Sequence, residues 1–128
     1  MIERRYDGFL PGAHQIEGYG AGGFRFAGMS HRGSIIATPS GVHAISATRV
    51  DELTEETLAP LFAEPAGAVM LVVLGAGATL PPAPRALREA LRARGLGCDP
   101  MATGHAVATY NILLGEGRKV AAILLASA

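Results

Sequence analysis

The sequence predicts an α/β fold in which a β-rich N-terminal half leads into helices and strands that alternate around a largely parallel sheet. Three observations carry this reading. Short extended pieces punctuated by glycine fill the first half, and helical and β-branched apolar patterns alternate in the second. Of 128 residues, 49% are hydrophobic and 17% charged, which suits a buried core and is unlike the composition of disordered chains. The length fits one domain, so residues 1–128 are read as a single unit.

Residues 15–19 and 23–26 read as strands that precede a turn near Gly28. Residues 34–38, Ser-Ile-Ile-Ala-Thr, follow as a further strand. Pro39-Ser40-Gly41 is a turn signature, since proline presets φ and glycine accepts positive φ, and residues 42–46 return as the hairpin partner. Residues 51–64 read as helical, with Leu58, Leu61 and Phe62 on one face and Thr54 or Thr57 available as N-cap. Pro60 favours Thr57, because proline is tolerated only in the first turn. Residues 69–74, Val-Met-Leu-Val-Val-Leu, read as a strand buried on both faces. A helix then starts near Pro84, turns Leu87, Ala90 and Leu91 inward and stops at Gly95. Residues 96–101 read as a short strand. Thr103 is expected to cap a third helix running to about Glu116, with Gly117 after it and a closing strand at 120–125. Alternation of this kind implies right-handed crossovers.

Composition excludes several functions. Lys plus Arg and Asp plus Glu each number 11, so no net field draws the chain to nucleic acid or to an anionic membrane. The single Cys98 permits no internal disulfide and no cysteine-based zinc cluster. The charged N-terminus has no apolar run behind it, so no secretory signal is expected and the default location is cytoplasmic. Residues 65–84 lack charge over about the length of a membrane span, yet glycine and the Pro81-Pro82-Ala83-Pro84 breaker argue against one.

Among residues that could carry chemistry, Gly75-Ala76-Gly77 follows a strand and invites comparison with phosphate-binding loops. The fingerprint fails, because Leu80 stands where a third glycine is needed and no Gly-Lys-Ser/Thr follows. A tight turn is the simpler reading, with ligand approach as the alternative. Thr103-Gly104-His105 opens a helix whose free N–H groups could meet an anion, although plain capping explains it equally well. Gly104, Ala108, Asn111 and Gly115 share one narrow helical face, which suits close backbone packing with the amide satisfied internally, or a ligand or partner helix. Gly75, Gly77, Thr103, Gly104 and Asn111 thus form a candidate rim for a ligand or partner. The four histidines lack metal-ligand spacing, and Cys98 lacks a basic partner on its own element, so neither a metal nor a cofactor nor catalysis is expected. Charge is also polarised: residues 51–64 hold five acids and no base, whereas Arg85, Arg88 and Arg92 share the helical face opposite Leu87 and Leu91. A solvated face is the simplest account, and docking on an acidic protein surface is the functional one.

Several runs together resemble a known family: Gly22-Gly23-Phe24-Arg25-Phe26, residues 33–42, the segment Met101-Ala102-Thr103-Gly104-His105-Ala106-Val107-Ala108-Thr109-Tyr110-Asn111-Ile112-Leu113-Leu114, and Glu116-Gly117-Arg118-Lys119-Val120-Ala121-Ala122. They look like the Mth-like domain family, which includes mitochondrial complex I assembly factor 3, the adipogenesis-associated Mth-like protein and many uncharacterised bacterial proteins. The resemblance covers nearly the whole chain, and the absence of a transit peptide suggests a bacterial member. It implies a three-layer α/β fold with a mixed central sheet, one strand antiparallel to the others, plus an N-terminal β-meander. It also implies a non-enzymatic assembly or scaffold protein without cofactor. Its partners would be proteins, complex I subunits or assembly intermediates among them, with self-association left open. Location at the inner membrane would be peripheral, through a partner. The other class of function is a small-ligand module using the loops after the Val69 and Leu96 strands. The two differ in whether Gly75, Gly77, Thr103 and Asn111 meet in an open cleft or are packed shut.

Overall fold

The computed structural model describes residues 8–77 and 84–126. Among the described residues nine strands run in chain order as β1 (Phe9–Pro11), β2 (Ile16–Gly20), β3 (Gly23–Phe26), β4 (Met29–Arg32), β5 (Ser34–Thr38), β6 (Gly41–Ile45), β7 (Leu71–Gly75), β8 (Gly97–Met101) and β9 (Val120–Leu124). Helices α1 (Ala59–Phe62), α2 (Arg85–Ala93) and α3 (Thr103–Gly115) lie among the later strands. Six strands form one sheet in the order β1-β6-β5-β9-β7-β8, and β2-β3-β4 form a separate antiparallel meander.

The large sheet is mixed. β9, β7 and β8 run parallel, as the alternating second half predicts, and β5 runs antiparallel to β9. β6 is antiparallel to β5, and β1 to β6, so two strands rather than one oppose the rest. The second is β1, too short and too close to the charged terminus to show a period in the sequence.

The period-2 alternation of buried strands decides which layer each side chain joins. Ile36, Val72, Leu74, Ala121 and Ile123 point to one face, where they pack with Leu58, Leu61, Leu87 and Leu91 from α1 and α2. Ile35, Ala37, Val73, Ala122 and Leu124 point to the other, against Ala106, Val107 and Tyr110 of α3 and Ile16, Phe24 and Phe26 of the meander. The result is three layers, with α3 and the meander together covering one side of the sheet.

The expected helix over 51–64 is broken. A 3₁₀ turn occupies Val50–Glu52, held by the Glu52 carboxylate, which accepts from the Thr48 and Arg49 amides at 2.8 and 3.0 Å. Buried Leu53 is extended, and α1 is one turn long, with Leu58 as N-cap and Pro60 within its first turn. Thr57 is therefore not the cap; its amide donates to Thr54 Oγ1 in the turn that leads into the helix. Both longer helices end as the glycines predict. Gly95 and Gly117 take φ of 72° and 75°. The amide after each, of Leu96 and Arg118, reaches back to the carbonyls of Leu91 and Leu113. The Pro81-Pro82 breaker lies outside the described residues.

Candidate functional site

The C-terminal end of β7 brings three of the expected rim residues together and ties them to each other. Gly75 lies at the strand end beneath α3, where an added Cβ would sit 3.0 Å from Leu124 Cδ2 and 3.1 Å from Ala106 Cβ. The Ala76 amide donates to the Met101 carbonyl at 2.9 Å. Gly77, at φ 95°, donates its amide to Thr103 Oγ1 at 3.0 Å and accepts from the Thr103 amide at 3.1 Å. The expectation that Thr103 caps α3 is corrected here. Ala102 is the N-cap and Thr103 is the first helical residue, with its buried hydroxyl turned to the β7 loop. The N–H groups that a phosphate-binding loop would present at 76 and 77 are spent on these bonds.

Asn111 is engaged just as fully. Its Oδ1 accepts from the Ile16 amide at 2.8 Å, and its Nδ2 donates to the Ile16 carbonyl at 2.7 Å. One side chain thus completes both backbone groups of a strand residue, in the manner of a neighbouring strand. Two bonds extend the seam: Gln15 Nε2 donates to the Asn111 carbonyl at 3.2 Å, and the Tyr110 hydroxyl donates to the His14 carbonyl at 3.2 Å. Burial pushes the Tyr110 phenol up to about 12, so it stays protonated as the donor this bond needs. The small residues beside Asn111 admit the same chain. A side chain at Gly104 would run into the Tyr19 hydroxyl, and one at Gly115 would lie 3.4 Å from Gln15 Nε2. The glycine and asparagine face of α3 is the seat of β2 and of the residue before it.

The remaining chemical candidates are separated. Cys98 of β8 packs on the α2 side of the sheet, whereas exposed His105 begins α3 on the other side, so the two form no pair. Burial, with Asp99 adding to it, raises the Cys98 thiol to about 11. Among the described residues no three metal-ligating side chains gather. Arg85, Arg88 and Arg92 are all exposed on α2, with Arg85 Nε bound to Glu89 at 2.8 Å. The acidic and basic segments also meet within the chain, where the Arg94 guanidinium stacks 3.7 Å from the Phe62 ring and reaches Glu55 at 4.0 Å.

A surface absent from the sequence reading lies at the other end of α3. Met70 and Ile112 are 59% and 61% exposed. Met70, Leu71 and Leu113 border an open groove of about 380 Å³ rimmed by Arg118 and Lys119. The available signal was the 13-residue α3, which contains no charged residue although one side of it faces outward.

Residues 16–125 match the model of a family described as a protein of unknown function, DUF498/DUF598. The chain belongs to this DUF498/DUF598 family. An uncharacterized protein of Rhodobacter capsulatus is 42% identical over 124 residues, covering 94% of this chain and 90% of its own length. Among solved structures, an outer membrane protein from Bartonella henselae is similar at 44% identity and TM-score 0.84, over 91% of this chain and 97% of that one. A Bordetella pertussis protein described as a Mth938-like domain, 24% identical, shares the fold at TM-score 0.71 over 88% of this chain and 85% of its own. The Mth-like resemblance read from residues 22–26, 33–42, 101–114 and 116–122 is thereby shown for family and fold. No helix among the described residues is long and apolar enough to cross a membrane.

Proposed function

We propose that this DUF498/DUF598 protein is a non-enzymatic, protein-binding scaffold, and that its partners are subunits or assembly intermediates of respiratory complex I. One observation carries the protein-binding part. The uncharged α3 leaves Ile112 exposed, exposed Met70 borders a groove with Leu71 and Leu113, and exposed apolar side chains of this kind suit a protein partner. The complex I part rests on the Mth-like resemblance. The small-ligand alternative is disfavoured because the β7 loop amides at 76 and 77 and the Asn111 amide already have partners within the chain.

The test is affinity purification of the tagged protein from gently solubilised, crosslinked membranes of its native host, with Met70→Glu and Ile112→Arg variants in parallel. Complex I subunits recovered with the unaltered chain, and lost with either variant at unchanged thermal midpoint, support the proposal. Recovery that is indifferent to both variants refutes the surface. Absence of complex I subunits refutes the partner class.

A further inference from the structure

The solvent face of the meander carries a second feature that the scaffold reading does not use. Phe24 and Phe26 of β3 turn inward to the core, so Gly23 and Arg25 face outward. β4 pairs Arg25 with Ser30 and Gly23 with Arg32. The two arginines therefore stand diagonally across one strand pair, a spacing that long side chains can bridge. Between them the floor stays low. Gly20 and Gly23 close the β2–β3 turn opposite each other, and a side chain at 23 is barred because it would run into the His31 carbonyl. At this end of the meander is an open cavity of about 420 Å³, to which Arg25, Ser30 and Arg32 contribute from the outer row and Tyr19, Phe24 and His31 from the inner one.

Its electrostatics are one-sided. Among the described residues no carboxylate lines the cavity. The nearest acid along the chain, Glu17, uses its Oε1 to accept from the Gly28 amide in the β3–β4 turn. Among the described residues neither Arg25 nor Arg32 has an ion-pair or hydrogen-bond partner. Two unpaired guanidinium forks beside a hydroxyl, with no side chain at Gly20 or Gly23 between them, match an anion with several terminal oxygens. A phosphate group, monoester or diester, presents its oxygens tetrahedrally and can engage both forks at once, whereas a single planar carboxylate satisfies one.

We infer that this cavity is a phosphate-binding site, taking the phosphate of a soluble molecule or of a lipid headgroup. It is independent of the Met70 and Ile112 surface, so either can fail without the other. The ¹⁵N-labelled full chain is titrated with inorganic phosphate, with sodium chloride at matched ionic strength and with acetate. Saturable shifts confined to the amides of residues 19–25 and 30–33, with a dissociation constant on the order of millimolar, are expected for phosphate. Arg25→Gln and Arg32→Gln should each weaken binding roughly 3- to 10-fold at unchanged thermal midpoint, and Arg118→Gln should not. Co-sedimentation with phosphatidylglycerol vesicles then distinguishes the sources. Arginine-dependent sedimentation assigns a lipid headgroup, and phosphate binding without sedimentation assigns a soluble ligand. Shifts that sodium chloride or acetate reproduces, or that survive both glutamine variants, overturn the site.

Discussion

Asn111 shows how much of this architecture hangs on one side chain. Replacement by alanine removes both bonds to Ile16 and leaves a strand amide and carbonyl without their partners. Such a loss costs about 2–4 kcal/mol, to be read from the denaturant midpoint. Asn111→Asp keeps the acceptor but sets a carboxylate oxygen against the Ile16 carbonyl, acceptor facing acceptor, and should cost at least as much. Cys98 makes the opposite prediction. With its thiol raised to about 11 and partly buried, the thiolate fraction at neutral pH is negligible, so alkylation by iodoacetamide should be slow in the native chain and fast once it is unfolded. Rapid labelling of the folded chain would contradict the packing described for β8. Neither role was legible in residue type alone. An asparagine in a helix of small residues signals an amide that needs partners, but only the fold shows that those partners belong to Ile16.

At the scale of elements, closure of the β7 loop by α3 depends on the missing side chain at Gly75 and on the Thr103 hydroxyl. Gly75→Ala presses a methyl against Leu124 and Ala106, and should cost about 1–3 kcal/mol because a packed core yields little. Thr103→Val keeps the shape and leaves the Gly77 amide without its acceptor, a loss of about 1–2 kcal/mol in the same denaturation measurement. The meander offers a gain instead. Both of its two-residue turns place alanine in the left-handed region, Ala21 at φ 52° and Ala27 at φ 51°, each followed by a glycine with positive φ. Asparagine or glycine tolerates that conformation better, so Ala21→Asn and Ala27→Asn should each stabilise by a few tenths to about 1 kcal/mol. The glycines announced these turns, which is why the hairpins were readable. The helix over 51–64 was misread because its apolar spacing at Leu58, Leu61 and Phe62 is helical, while the segment before it follows the burial of Val50 and Leu53.

The whole molecule should respond to acid through its histidines. Burial lowers His31 and His43 from their ordinary value, although the Glu64 charge partly opposes this at His43. A group with a depressed folded value takes up protons on unfolding, so stability is full above about pH 6.5 and declines as pH falls below it. A second decline follows below about pH 4. There Asp51, held low by the Arg49 guanidinium, and Glu52, held low by the Thr48 amide and hydroxyl, become protonated. The thermal midpoint should therefore be flat near neutrality and drop as pH falls below about 6.5, with a shallower drop in His43→Gln. An equal slope in that variant would rule out His43 as a contributor.

What the sequence determined by itself was local. Apolar runs at β5, β7 and β9 marked buried strands, glycines marked where α2 and α3 stop, and residues 22–26, 33–42, 101–114 and 116–122 marked the family. Both the mixed direction of the sheet and the use of the small-residue face were decided only by tertiary structure. A β5–β6 hairpin can pair on either side of a parallel trio, and its antiparallel seat beside β9 depends on contacts with residues far along the chain. In the same way Gly104, Asn111 and Gly115 have the chemistry of a ligand groove until β2 crosses them. Hydrogen bonds over more than ninety residues of separation then turn that face into a structural seam.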